Sequence, residues 1–169
     1  MEEIESPVER LSEELHHEAE HSKENWLKFG ALLSALLAVF AAISGMQSGH
    51  EVNEAMIQQI KASDAWGYYQ AKGIKIMIAE SQPLPALNAD KIKRYKEEQQ
   101  AIKVDAETKS AASEGHLTGH ETLSRAMTLF QVAIAMTAIA VLARQRKLLL
   151  VSAGLGFVGL GFFVQYWMM

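Results

Sequence analysis

Three stretches of the chain carry no charged residue: Phe29 to Met46, Ala126 to Ala143 and Leu148 to Met169, of 18, 18 and 22 residues. A helix rises about 1.5 Å per residue, so the shorter runs reach roughly 27 Å, close to the hydrocarbon thickness of a bilayer. Every charged residue falls outside these runs. The pattern predicts an all-α membrane protein with transmembrane helices over 29–46, 126–143 and 148–169. Trp26 before the first run and Tyr166 and Trp167 near the end of the third stand where interfacial aromatics are enriched.

Between the first two runs lies a polar segment, 47–125, broken by Gln82-Pro83-Leu84-Pro85. Proline ends helices, so the segment divides into two arms of similar length. Nearly equal arms predict a long extramembrane antiparallel helical hairpin between spans 1 and 2. In the first arm Val52, Met56, Ile60, Ser63, Gly67, Ala71, Ile74 and Ile78 follow steps of 4-4-3-4-4-3-4, an eleven-residue type of repeat that favours coiled-coil-like packing with little supercoil. Its centre, Ser63, Gly67 and Ala71, is small enough for another backbone to approach closely. The second arm has a weaker stripe through Ile92, Tyr95, Gln99, Ile102, Ala106, Ser110, Ser113 and Leu117. Neither stripe alone stabilises an isolated hairpin of this length, which predicts a homo-oligomer.

Residues 1–28 form an acidic tail: nine glutamates stand against Arg10, Lys23 and Lys28. A secretory signal needs a positive start, so the first apolar run is expected to be retained. Ser6-Pro7-Val8-Glu9 is a helix-start signature, and Val8, Leu11, Leu15 and Trp26 give a narrow apolar stripe. An acidic amphipathic helix is repelled by anionic lipid, so the tail is expected to be a solvated helix leading into the first span, with packing on a partner protein as the alternative. The short link Arg144-Gln145-Arg146-Lys147 has three cations and no acid. By the positive-inside rule the tail and link are cytoplasmic and 47–125 is periplasmic, for a chain in the bacterial inner membrane.

Composition narrows the function. With 49% apolar residues and about a third of the chain in the three runs, the composition argues against a soluble enzyme core, and the lack of cysteine excludes a disulfide or a thiolate site. A net charge of −4 argues against a nucleic-acid partner.

The block ASDAWGYYQAKGIK over 62–75, with GHEVNEAM over 49–56 and SRAMTLFQVAIA over 124–135, resembles an uncharacterised bacterial membrane-protein family, catalogued as domain-of-unknown-function family 4337. The resemblance implies three spans and a helical extramembrane region over nearly the whole chain. It implies no activity.

Candidate chemistry is sparse. Gly154-Leu155-Gly156-Phe157-Val158-Gly159 matches a dinucleotide fingerprint in letters only, because it lies inside an apolar span with no strand before it. Ser152, Gly156 and Gly159 instead suit close helix packing. Gln131, inside the second run, suits a hydrogen bond to a neighbouring helix. His116 and His120 share a helix face. If residues 46 and 126 are level, His50, Glu54, His116, His120 and Glu121 gather just outside the membrane, as weak metal candidates. Two histidines without an H-E-x-x-H carboxylate carry little weight, so no metal and no cofactor is expected. His17 and His21 repeat the spacing in the tail. No set of nucleophile, acid and base stands out. The expectation is a non-enzymatic oligomeric scaffold or interaction protein in the lipid bilayer. The alternative is a channel-like or histidine-based pH- or metal-sensing protein.

Overall fold

The computed structural model describes residues 25–81 and 89–169. The helix-start signature of the tail, His17 and His21, and the proline cluster at 82–85 lie outside the described residues. Those described form three helices: α1, Asn25–Glu80; α2, Ala89–Leu142; and α3, Arg146–Met168. Each is long and apolar enough to cross a membrane. α1 runs unbroken from the first apolar run through the first arm. It contains no proline, and none of its glycines takes a positive φ. It ends two residues short of Gln82-Pro83, where Ser81 N–H donates to the Met77 carbonyl at 3.0 Å and Ser81 Oγ to the Ile78 carbonyl at 3.0 Å.

The contacts divide the chain into two compact units, one running up to His50 and including Gly119–Met169, the other Glu51–Thr118. The first unit packs all three helices. Its core joins Leu37 and Ala41 of α1 to Ala126, Phe130, Ala133 and Ile134 of α2, with Leu155, Leu160 and Phe163 of α3 against them. Phe40 stacks on Phe130 at 5.8 Å and meets Phe163 edge-on at 5.6 Å. A second cluster, Leu27, Ala138 and Val141, carries Trp26. The α2–α3 link is a tight turn. Gln145 N–H donates to the Ala140 carbonyl at 2.9 Å, and Arg144 takes φ 51°, the left-handed position that usually follows a helix end.

In the second unit the paired residues run in opposite directions. Ser113 Oγ donates to the Ala55 carbonyl at 2.9 Å, Gln99 Nε2 to the Tyr69 carbonyl at 3.1 Å, and Lys96 Nζ lies 2.8 Å from Glu80. The α1 face turned inward is Glu51, Ala55, Ala62, Ala65, Ile76 and Ala79, all buried. With half-buried Gln58, Tyr69 and Lys72 these positions step 4-3-4-3 throughout, a heptad seam in which alanine is the commonest residue. The stripe of larger residues faces outward. Met56, Ile60, Ile74 and Ile78 are each more than half exposed, and nothing lies within 4 Å of a Cβ built on Gly67.

Candidate functional site

Most chemistry-bearing side chains sit on the seams, in three groups. The first comprises the histidines. His116 Nδ1 lies 2.7 Å from Glu51 Oε2 in the second unit. In the first unit His120 Nδ1 lies 2.8 Å from Ser48 Oγ and 3.0 Å from the Ser48 carbonyl, and Ser48 Oγ is 2.9 Å from Ser124 Oγ. The two imidazoles thus have different partners. His50 is exposed and Glu54 half-buried. No group of three His, Asp or Glu residues that could hold a metal ion occurs among the described residues. The equal-arm reading levels Ala55 with residue 117, whereas Ala55 meets Ser113, about one helical turn away. That turn brings Glu51, not Glu54, to His116.

A serine hydroxyl beside an imidazole has the composition of a nucleophile and its base. The surroundings suit a brace instead. Ser48 is 4% exposed, which closes its hydroxyl to substrate. One consistent arrangement has His120 Nδ1–H donate to the Ser48 carbonyl while Ser48 Oγ donates to the His120 carbonyl, at 3.3 Å, or to Ser124. That ties α1 to α2 through four polar groups. Gln47 Nε2 adds a tie from α1 to α3, donating to the Tyr166 hydroxyl at 2.9 Å.

The second group is the inner face of α3. Ser152 is fully buried, and its hydroxyl lies 2.6 Å from that of Thr137. Both hydroxyls reach the Ala133 carbonyl, at 2.7 and 3.0 Å. One donates to the carbonyl and the other to its neighbour, so no proton is wasted. Gly156 faces Leu37 and Gly159 faces Phe130 and Leu129. Gln131 is half-buried on α2. Ser34 and Ser44 on α1 are fully buried, and their hydroxyls find no hydrogen-bond partner among the described residues.

The third group lies along the edge of the second unit's seam. Lys72 holds Glu98 and packs its ammonium 4.7 Å from the centre of the Tyr95 ring. The hydrogen bond from Lys72 holds the Glu98 carboxyl below its ordinary value, against the opposing pull of desolvation. Trp66 and Tyr69 meet edge-on at 5.5 Å, whereas Tyr68 points to solvent. Ser63, Gly67 and Ala71 are exposed with the outer stripe.

No curated protein and no solved structure matches the chain. Residues 26–169 match the family described as Domain of unknown function (DUF4337). The match covers α2, α3 and all of α1 after Asn25, so the chain belongs to that family.

Proposed function

We propose that this is a non-enzymatic integral membrane protein acting as an oligomeric scaffold. Three spans hold it in the bilayer. The segment between the first two, 47–125, lies outside the membrane as an antiparallel helical hairpin and associates with other copies or with a partner protein. The observation that carries the reading is the outward stripe of Met56, Ile60, Ile74 and Ile78, open at Gly67. In water, burying such side chains gains about 1.5–3 kcal/mol each, and apolar stripes of this kind mark interaction surfaces. The alanine seam already serves the chain's own second arm, so the outer stripe is free for another chain. Its steps of 4-4-3 differ from the 4-3 steps of the inner seam and suit nearly straight packing. The basic 144–147 link supports a bacterial inner-membrane topology with the tail and link cytoplasmic and 47–125 periplasmic.

The test is the mass of the detergent-solubilised protein by light scattering, for wild type, Ile60→Glu/Ile74→Glu and Gly67→Leu. The double variant places charge in the stripe, and the leucine blocks close approach. Both are expected to form smaller species than wild type while still inserting. Wild-type mass in the double variant would refute association through this face.

A further inference from the structure

Lys28 on α1 and Arg144, Arg146 and Lys147 around the α2–α3 link are all exposed. They belong to one end of the first unit, because Arg146 lies over the Trp26 ring, 5.7 Å from its centre, and Trp26 packs with Leu27, Ala138 and Val141. None of the four meets a carboxylate among the described residues. The next acids along the described helices are Glu51 on α1 and Glu121 on α2, and α3 has none. Beyond the other end of the α2 apolar run the single cation, Arg125, lies 3.3 Å from Glu121. Among the described residues one end therefore carries four positive charges with no carboxylate partner, and the other carries a matched pair.

We infer that Lys28, Arg144, Arg146 and Lys147 form a binding site for the phosphate of an anionic phospholipid headgroup. The inference rests on the membrane reading above. Lys28 directly precedes Phe29, and the link separates Ala143 from Leu148. The cations therefore sit at both borders of apolar runs, at the depth where lipid phosphates lie. The Arg146 guanidinium over the Trp26 ring carries N–H groups in a fork that matches two phosphate oxygens at once. The α3 N-terminus adds to the positive field. It has no acid in its first turn, and its N-cap, Gln145, makes no side-chain cap hydrogen bond. Zwitterionic lipid brings its own ammonium to the same place, so the cluster selects headgroups with net negative charge. The acidic tail is the rival occupant. The phosphate plane has the advantage of lying at the depth of the cations, whereas a tail carboxylate must be drawn to it.

Trp26 reports on the site. The full-length Trp66→Phe/Trp167→Phe protein, reconstituted in vesicles of phosphatidylcholine and phosphatidylglycerol, leaves Trp26 as the single indole. Quenching is compared with bromine on the acyl chains of one lipid or of the other. The expected result is about fivefold enrichment of the anionic lipid at Trp26 over its bulk share, the factor carried by one surface cation. Lys28→Gln/Arg144→Gln/Arg146→Gln/Lys147→Gln should return the ratio to the bulk share, and Arg144→Lys/Arg146→Lys, which keeps all four charges, should retain it. A bulk ratio in wild type overturns the proposal. If the ratio then rises when all nine tail glutamates become glutamine, the tail is the occupant. Absence of quenching by either lipid would instead overturn the membrane reading itself.

Discussion

Adding one methyl group at each of four glycines of α3 separates packing from helix propensity. A Cβ on Gly159 would lie 2.9 and 3.0 Å from two atoms of the Phe130 ring and 3.3 Å from Leu129 Cβ. Carbon contacts prefer about 3.5–4.0 Å. Phe130 cannot yield easily, because it is 0% exposed and stacked on Phe40. Overpacking of this kind costs about 1–3 kcal/mol. A Cβ on Gly156 would come within 2.8 Å of Leu37 Cδ2, the end of a flexible side chain that can rotate away, so the cost there falls near the low end, about 1 kcal/mol. Nothing lies within 4 Å of a Cβ on Gly154 or Gly161. All four substitutions gain roughly 0.5–1 kcal/mol because alanine loses less backbone freedom in a helix. The expected order of stability is Gly154→Ala and Gly161→Ala above wild type, Gly156→Ala near it and Gly159→Ala below it. The gap between positions 161 and 159 should be about 1–3 kcal/mol, a difference in which propensity cancels. Reversible unfolding in mixed micelles, titrated with SDS and followed by far-UV circular dichroism, measures it. If Gly161→Ala costs as much as Gly159→Ala, the packing of α3 through Gly159 on Phe130 is wrong.

Two further outcomes follow from the same contacts. Ser44→Ala removes a buried hydroxyl with no partner among the described residues. It should leave stability in the same unfolding titration unchanged or raise it by about 1 kcal/mol, and a loss larger than that would place an unseen partner on the hydroxyl. Glu98 titrates below its ordinary 4.5 when folded, chiefly through the Lys72 hydrogen bond. Its ionised form therefore favours folding above 4.5, and that contribution is lost as pH falls from 4.5 through the folded value. Thermal melts of wild type and Glu98→Gln should differ near neutrality and converge on acidification. A difference that grows with acid would contradict the ion pair.

Charge alone marks the three apolar helices, because few sequences leave 18 residues uncharged for another reason. The end of α1 is legible from proline. The facing of the first arm is not, because hydrophobicity and burial part company there. Ile60 and Ile74 dominate any reading by apolar size, yet Ala55, Ala62 and Ala65 make the contact. Helices pressed closely together select small residues, and alanine weighs little in a search for large ones. A histidine cluster of His50, Glu54, His116, His120 and Glu121 requires the run boundaries at 46 and 126 to be level. A displacement of one turn exchanges Glu54 for Glu51, so grouping from sequence is only as good as the assumed alignment. The Ser48–His120 brace carries no motif, and its sole signal is that both residues stand just beyond the ends of apolar runs.

The alanine seam has a further consequence. Alanine loses no rotamer entropy on burial, so such a face assembles with little ordering of side chains. Its alanines carry little information of their own. Sliding the two arms past each other by one heptad exchanges Ala55 for Ala62 without change, but it brings Tyr69 and Lys72 to the places of Ala62 and Ala65. What the slide destroys is the polar indexing: Ser113 leaves the Ala55 carbonyl, Gln99 leaves Tyr69, and His116 leaves Glu51. Ser113 and Glu51 are buried, at 3% and 9% exposed, so their displacement costs about 1–3 kcal/mol each. The alanines make the arms adhere, and a handful of polar contacts, like the notches on a ruler, determine where they stop.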